Sequence, residues 1–103
     1  MALETVPVVT CFLRNGTDVL LCRRSEAVGS YAGRWGAVAG HVAPSRDADP
    51  AGHDPLDAAR REIAEEAGLA DAVTLARRGD PFAVRDADRG TRWLVHPFLF
   101  DCE

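Results

Sequence analysis

The sequence predicts one domain of the α/β (α+β) class, a mixed β-sheet with helix cover, and three observations carry that reading. β-favouring runs fill both ends of the chain, and a single amphipathic helix with readable start and stop signals lies between them. The length of 103 residues gives room for one core, so residues 1–103 form a single domain.

Taken in order, Thr5 to Leu13 is largely apolar and β-favouring, Asn15-Gly16 offers a tight turn, and Asp18 to Arg24 (DVLLCRR) reads as a returning strand. Ser25 to Gly36 has three glycines and reads as a loop leading into a short strand around Trp35 to Val42. Residues 43–54, APSRDADPAGHD, form a long exposed loop rich in Pro, Asp and Gly. The helix then spans about residues 55–67: Asp54 caps the first amides, Pro55 suits the first helical position, and Gly68 closes the far end. Beyond it, Val73 to Arg78, Phe82 to Arg85 and Thr91 to Phe100 read as strands.

Within the helix, Leu56, Ala59, Ile63 and Ala67 follow 3, 4, 4 spacing and predict the buried stripe. Glu62, Glu65 and Glu66 are expected on a neighbouring arc facing away from it, displayed together. Like charges one turn apart cost about 0.2–0.5 kcal/mol per pair, so the segment REIAEEAGL invites a positive partner. Carboxylate oxygens are natural ligands for Mg²⁺ or Mn²⁺, and such an ion polarises a phosphoryl oxygen and activates a bound water. Arg61 beside them is placed to hold a carboxylate or a phosphate.

Composition narrows the alternatives. All twelve basic residues are arginine, which removes P-loop phosphate binding and lysine-based covalent chemistry. A net charge of −4 argues against a nonspecific nucleic-acid surface, so nucleic acid is not an expected partner. No apolar run reaches the roughly 18 residues of a membrane span, and the N-terminus lacks the plan of a signal peptide, so the expected location is the cytoplasm. Cys11, Cys22 and Cys102, odd in number and without CxxC spacing, read as reduced and buried. There is no G-x-S-x-G elbow and only three serines, so nucleophilic serine chemistry has no support. Trp35 and Trp93 read as core aromatics, and His41 and His96 as structural.

The stretch from Ala58 to Leu69, AARREIAEEAGL, resembles the second half of the Nudix box. That pattern is Gly, five residues, Glu, seven residues, Arg-Glu, apolar, any, Glu-Glu, any, Gly, apolar, and every fixed position from Arg61 to Leu69 matches. The flanks are similar too: a strand carrying LLCRRS, then GRWGAVAGHV, then loop and helix. The resemblance implies a Nudix-like pyrophosphohydrolase of the MutT-like kind, in which Glu62, Glu65 and Glu66 bind catalytic Mg²⁺ or Mn²⁺ and one of them serves as general base. It implies further that Arg61 orients Glu62, that Gly40 opens the box with the Ala39 carbonyl offered to the metal, and that Arg23 or Arg24 pairs with substrate phosphates. Trp35 is a candidate to stack on a base.

Two features depart from the family pattern. Residues 41 to 52, twelve of them, stand where the family has five, and His53 occupies the box's first glutamate position, with Asp54 and Asp47 nearby. The chain also ends before the later strands and C-terminal helix that Nudix domains carry, so the resemblance implies a shortened domain, a module cut from a longer protein, or a variant whose missing cover comes from a partner, with a homodimer or fusion to a further domain among the options. The leading expectation is a Mg²⁺-dependent hydrolase of nucleoside diphosphates linked to another moiety. The alternative is a non-catalytic Nudix-like nucleotide-sensing module of a larger protein.

Overall fold

The computed structural model describes residues 2–23, 35–42, 54–69 and 72–102. In chain order the elements are β1 (Glu4–Asn15), β2 (Asp18–Val19), β3 (Cys22–Arg23), β4 (Trp35–Gly36), β5 (Val38–His41), α1 (Pro55–Ala67), β6 (Val73–Arg78), β7 (Phe82–Asp86) and β8 (Thr91–Cys102), with a 3-10 turn at Ala87–Arg89 before the last strand. The predicted α+β mixed sheet is what the chain forms, and the helix has the predicted bounds.

β1 and β8 are the spine of the sheet. They run parallel, in register from Glu4 opposite Thr91 to Arg14 opposite Asp101, and parallel neighbours require a crossover rather than a tight turn. α1 lies within that crossover. β5 pairs antiparallel with Val8 to Cys11 on the outer side of β1, and β2 returns along its end through Gly16 and Thr17. Gly16 has φ 60°, a left-handed conformation that the tight turn needs and that glycine adopts without penalty.

On the outer side of β8, β7 pairs with its first half and β6 with its second. Between them lies Pro97, which has no N–H to give a ladder and would be costly in a fully paired central strand. The β6–β7 connection meets it there: the Gly79 N–H donates to the Pro97 carbonyl at 3.0 Å.

Two predicted strands divide. The run Asp18 to Arg24 parts at Leu20 and Leu21, because Asp18–Val19 pairs with β1 whereas Cys22–Arg23 pairs with β4 in a separate two-stranded sheet. The run Trp35 to Val42 parts at Ala37 for the same reason, since Val38–His41 belongs to β1. Apolar content marked these residues as strand but carried no information about which partner each half would take. The residues between β3 and β4, and the long loop from 43 to 53, lie outside the described residues, and His53 and Asp47 with them.

The core sits on one face of the sheet. Val9, Cys11 and Leu13 of β1, Val38 of β5, Val73 of β6, and Phe98 and Phe100 of β8 meet Ala58, Ala59 and Ile63 of α1. Two adjacent alanines bring the helix close enough for the Cys11 thiol to lie 3.9 Å from the Ala59 carbonyl. Cys11 is fully buried and Cys102 half-buried, both as free thiols, which bears out the buried reading for the first and moderates it for the second.

The opposite face is more open. Phe12, Phe82 and Val84 are exposed there, and Arg14 clasps Asp101 across the β1–β8 pair through Nε–Oδ1 at 2.7 Å and Nη2–Oδ2 at 3.1 Å. That bidentate bond holds the Asp101 carboxyl below the usual carboxylate range. Among the described residues, no helix is long and apolar enough to cross a membrane.

Candidate metal and catalytic site

The site is built where α1 lies along β5. Asp54 starts the helix, its Oδ1 accepting from the Leu56 N–H at 2.9 Å, with Pro55 following, and Gly68 ends it at φ 68° with its N–H on the Ala64 carbonyl. These caps fix where the helix begins, and so which residues meet the sheet.

Glu65 and Glu66 are exposed, as expected of an arc beside the buried stripe, whereas Glu62 is partly buried. Glu66 is seven residues beyond Ala59, two turns less about 20°, so it lies almost in line with that buried alanine. Glu62, one turn earlier, is on the same side. The Glu66 Oε2 accepts from the Ala39 N–H of β5 at 3.2 Å, and the Glu62 side chain, 15% exposed, packs on Gly40. Glu65 falls outside this pair; both it and Glu66 are exposed.

Gly40 is glycine for a steric reason: a Cβ there would overlap the carboxyl end of Glu62. Gly40 is therefore the notch into which Glu62 fits. Burial pushes the Glu62 carboxyl up, the Glu66 and Glu65 charges add to this, Arg61 offsets part of it, and a hydrogen bond with Glu66 raises it further. The Cys11 thiol beneath is pushed up to about 12, by burial first and by Glu66 and Glu62 after it.

Arg61 acts differently from the expectation. Its Nη2 stands 3.8 Å from Glu62 Oε1, beyond hydrogen-bond reach, and donates instead to the His41 carbonyl at 3.0 Å. It thus ties the helix to the end of β5 and touches Glu62 only through its charge. Side-chain spacing could not reveal this anchor or the Ala39 N–H, because both partners are backbone groups of another strand.

Of the substrate-binding candidates, Arg23 and Trp35 are Cα partners across β3 and β4, so the backbone brings them together. Their side chains, and all of Arg24, lie outside the described residues. His41 is exposed, its ring centroid 6.3 Å from that of the half-buried Trp93. His96 is half-buried, held below its ordinary pKa by burial and by Arg78.

Carboxylate oxygens are donors of the kind a small hard cation takes. Among the described residues, no three His, Cys, Asp or Glu side chains close on one point, and Glu62 and Glu66 form a pair of neighbouring carboxylates. Mg²⁺ commonly takes one or two carboxylates and completes its shell with water and substrate phosphate oxygens. An ion between these two would also relieve the repulsion evident at Glu62.

Gly40→Ala tests the notch. The Glu62 side chain can swing aside, so stability is expected to fall by less than about 1 kcal/mol, while Mn²⁺ affinity falls about tenfold as the carboxylate leaves its position. Calorimetric titration with Mn²⁺ beside urea unfolding checks both, and unchanged affinity would mean that Glu62 does not need this seat.

The six-stranded mixed sheet with one helix matches the fold of solved MutT and Nudix hydrolase structures. The chain is similar to a MutT protein from Methanosarcina mazei Go1, at 22% identity and TM-score 0.70, covering 100% of this chain and 66% of that one. It is similar to a Nudix hydrolase from Nitrosomonas europaea at 19% identity and TM-score 0.68, covering 97% and 60%. It is also similar to an Ap4A hydrolase from C. elegans at 18% identity and TM-score 0.59, covering 99% and 69%. The family model for the NUDIX domain matches residues 4–103, and the chain belongs to the Nudix family. It spans 66% and 60% of the length of the first two of these structures. No curated protein matches it.

Proposed function

We propose that the chain is a Mg²⁺- or Mn²⁺-dependent hydrolase of a nucleoside diphosphate linked to another moiety, working by water attack at phosphorus. Family membership and fold support pyrophosphate-bond hydrolysis in general. The observation that carries the finer reading is the seating of two like-charged carboxylates, Glu62 and Glu66, against Ala39 and Gly40 of β5.

In this reading Glu62 and Glu66 hold the cation and Glu65 adds a third carboxylate from the exposed side. The bound metal supplies Lewis-acid polarisation of a phosphoryl oxygen and a water of lowered pKa. One of the three glutamates accepts the water's proton as the new O–P bond forms and the anhydride P–O bond breaks. The Ala39 N–H orients Glu66, and Arg61 keeps α1 on β5 through the His41 carbonyl. Arg23 and Arg24 meet the remaining phosphates, and Trp35 stacks on the base. A small nucleotide in the cytoplasm is the proposed partner, with a homodimer or an attached domain covering the open sheet face.

The test is hydrolysis of ADP-ribose, dinucleoside polyphosphates and nucleoside triphosphates with Mg²⁺ and with EDTA. Release of a nucleoside monophosphate only in the presence of metal is the expected result; no turnover of any of them would defeat the hydrolase reading. The replacement of a glutamate by His53, together with the lengthened segment before it, favours a second reading, a nucleotide-sensing module. That reading is supported by saturable nucleotide binding without turnover.

A further inference from the structure

Away from the carboxylates, Arg85 of β7 and Arg92 of β8 are direct antiparallel partners. Like charges directly opposite each other on a sheet are destabilising, and the surroundings do not neutralise them. Arg92 donates from Nε and Nη2 to Thr5 Oγ1 at 3.2 and 2.8 Å, a neutral acceptor. Neither guanidinium has a carboxylate partner among the described residues. The adjacent acids cannot help: Asp86 is opposite Thr91, as is Glu4, so strand alternation sends both to the other face, and Asp86 is bonded to Arg89.

The two arginines line an open hollow of about 350 Å³ together with Ala2 and Leu3. It lies on the face that carries Val9 and α1 but toward the start of β1. Thr5 is four residues from Val9, roughly 13 Å along the strand, so the hollow is separate from the glutamate pair. Arg92 keeps three of its five N–H donors unused, and its Thr5 bonds restrain the fork that would present them.

We propose that Arg85 and Arg92 form a second site, for the dianionic phosphate of a phosphate monoester whose organic part rests on Leu3. Two adjacent guanidinium forks suit a doubly charged tetrahedral oxyanion better than a single carboxylate. The acidic net charge of −4 makes an unneutralised pair of cations on one face a local inversion of the chain's field.

The experiment titrates the chain with inorganic phosphate and with phenyl phosphate in EDTA, following backbone amide shifts, so that no metal can draw phosphate to the glutamates. Saturable shifts at Leu3, Thr5, Arg85 and Arg92 are expected, with phenyl phosphate binding about tenfold tighter through apolar cover on Leu3. Arg85→Gln and Arg92→Gln are each expected to weaken binding about tenfold. Arg77→Gln removes the same charge on β6 and should leave binding unchanged. Because Arg85 makes no bond to Thr5, its variant keeps the local anchor and separates loss of the site from loss of structure.

A linear, unsaturated response, or equal weakening by Arg77→Gln, would reduce the effect to general electrostatics and overturn the site. Equal affinity for the two probes would overturn the monoester assignment. Failure of the hydrolase assay leaves each of these outcomes unaffected, because the titration reads binding without turnover.

Discussion

Glu66→Gln and Glu62→Gln are each expected to lower metal-dependent hydrolysis by about a thousandfold while leaving the fold as stable as before or slightly more so. The two halves of this expectation come from the same geometry. A glutamine at 66 still accepts from the Ala39 N–H through its amide oxygen, so the helix stays docked on β5 while one negative charge is gone. A glutamine at 62 still fills the notch at Gly40, and it removes the charge that burial, Glu66 and Glu65 all disfavour. Relief of a like-charge pair one turn apart is worth about 0.2–0.5 kcal/mol. Steady-state rates at saturating Mg²⁺ read the first half, and thermal unfolding without metal reads the second. Near wild-type turnover in both variants would sink the assigned site. A large loss of stability in either would show the carboxylates to be structural rather than held for a ligand.

How far this site was legible in the sequence depends on the kind of contact. The helix bounds were readable because Asp54, Pro55 and Gly68 act locally, each through its own backbone conformation or a partner two to four residues away. The motif from Arg61 to Leu69 singled out Glu62, Glu65 and Glu66, of which the first and third meet Gly40 and the Ala39 N–H of β5. The exposure of Glu65 and Glu66 was legible, but the 3, 4, 4 spacing did not show that Glu66, seven residues after Ala59, comes near enough to β5 to meet the Ala39 N–H. Nor could spacing say why Gly40 is glycine, since the atom it accommodates belongs to a residue twenty-two positions later. The Arg61 bond to the His41 carbonyl was hidden for a related reason, because a backbone acceptor leaves no trace in residue type. The divided strands show the same limit at the level of the sheet. Apolar runs mark strand content, but pairing decides where Leu20 and Ala37 break it.

Phe100→Ala is the substitution expected to cost the most stability, about 3–5 kcal/mol. Phe100 is fully buried on β8, opposite Leu13 of β1 on one side and Leu75 of β6 on the other. Its ring lies 6.2 Å from that of Phe98, and the Arg60 guanidinium of α1 sits 5.5 Å from its centroid. Truncation therefore removes the apolar volume joining three strands and also the aromatic face against which a helical cation rests. Two features limit collapse into the space: β8 is paired along both edges here, and the nearest helical residues include alanines that have no length to extend. Domains of this size hold about 5–15 kcal/mol in all, so the loss would consume a large share and lower the melting temperature by about 4–8 °C for each kcal/mol. Phe82→Ala provides the comparison, since Phe82 is 50% exposed on β7 and its truncation should change stability by about 0.5 kcal/mol or less. Urea unfolding of both variants measures the contrast. Equal losses would place the principal core on the wrong face of the sheet, and with it the surface on which α1 presents Glu62 and Glu66.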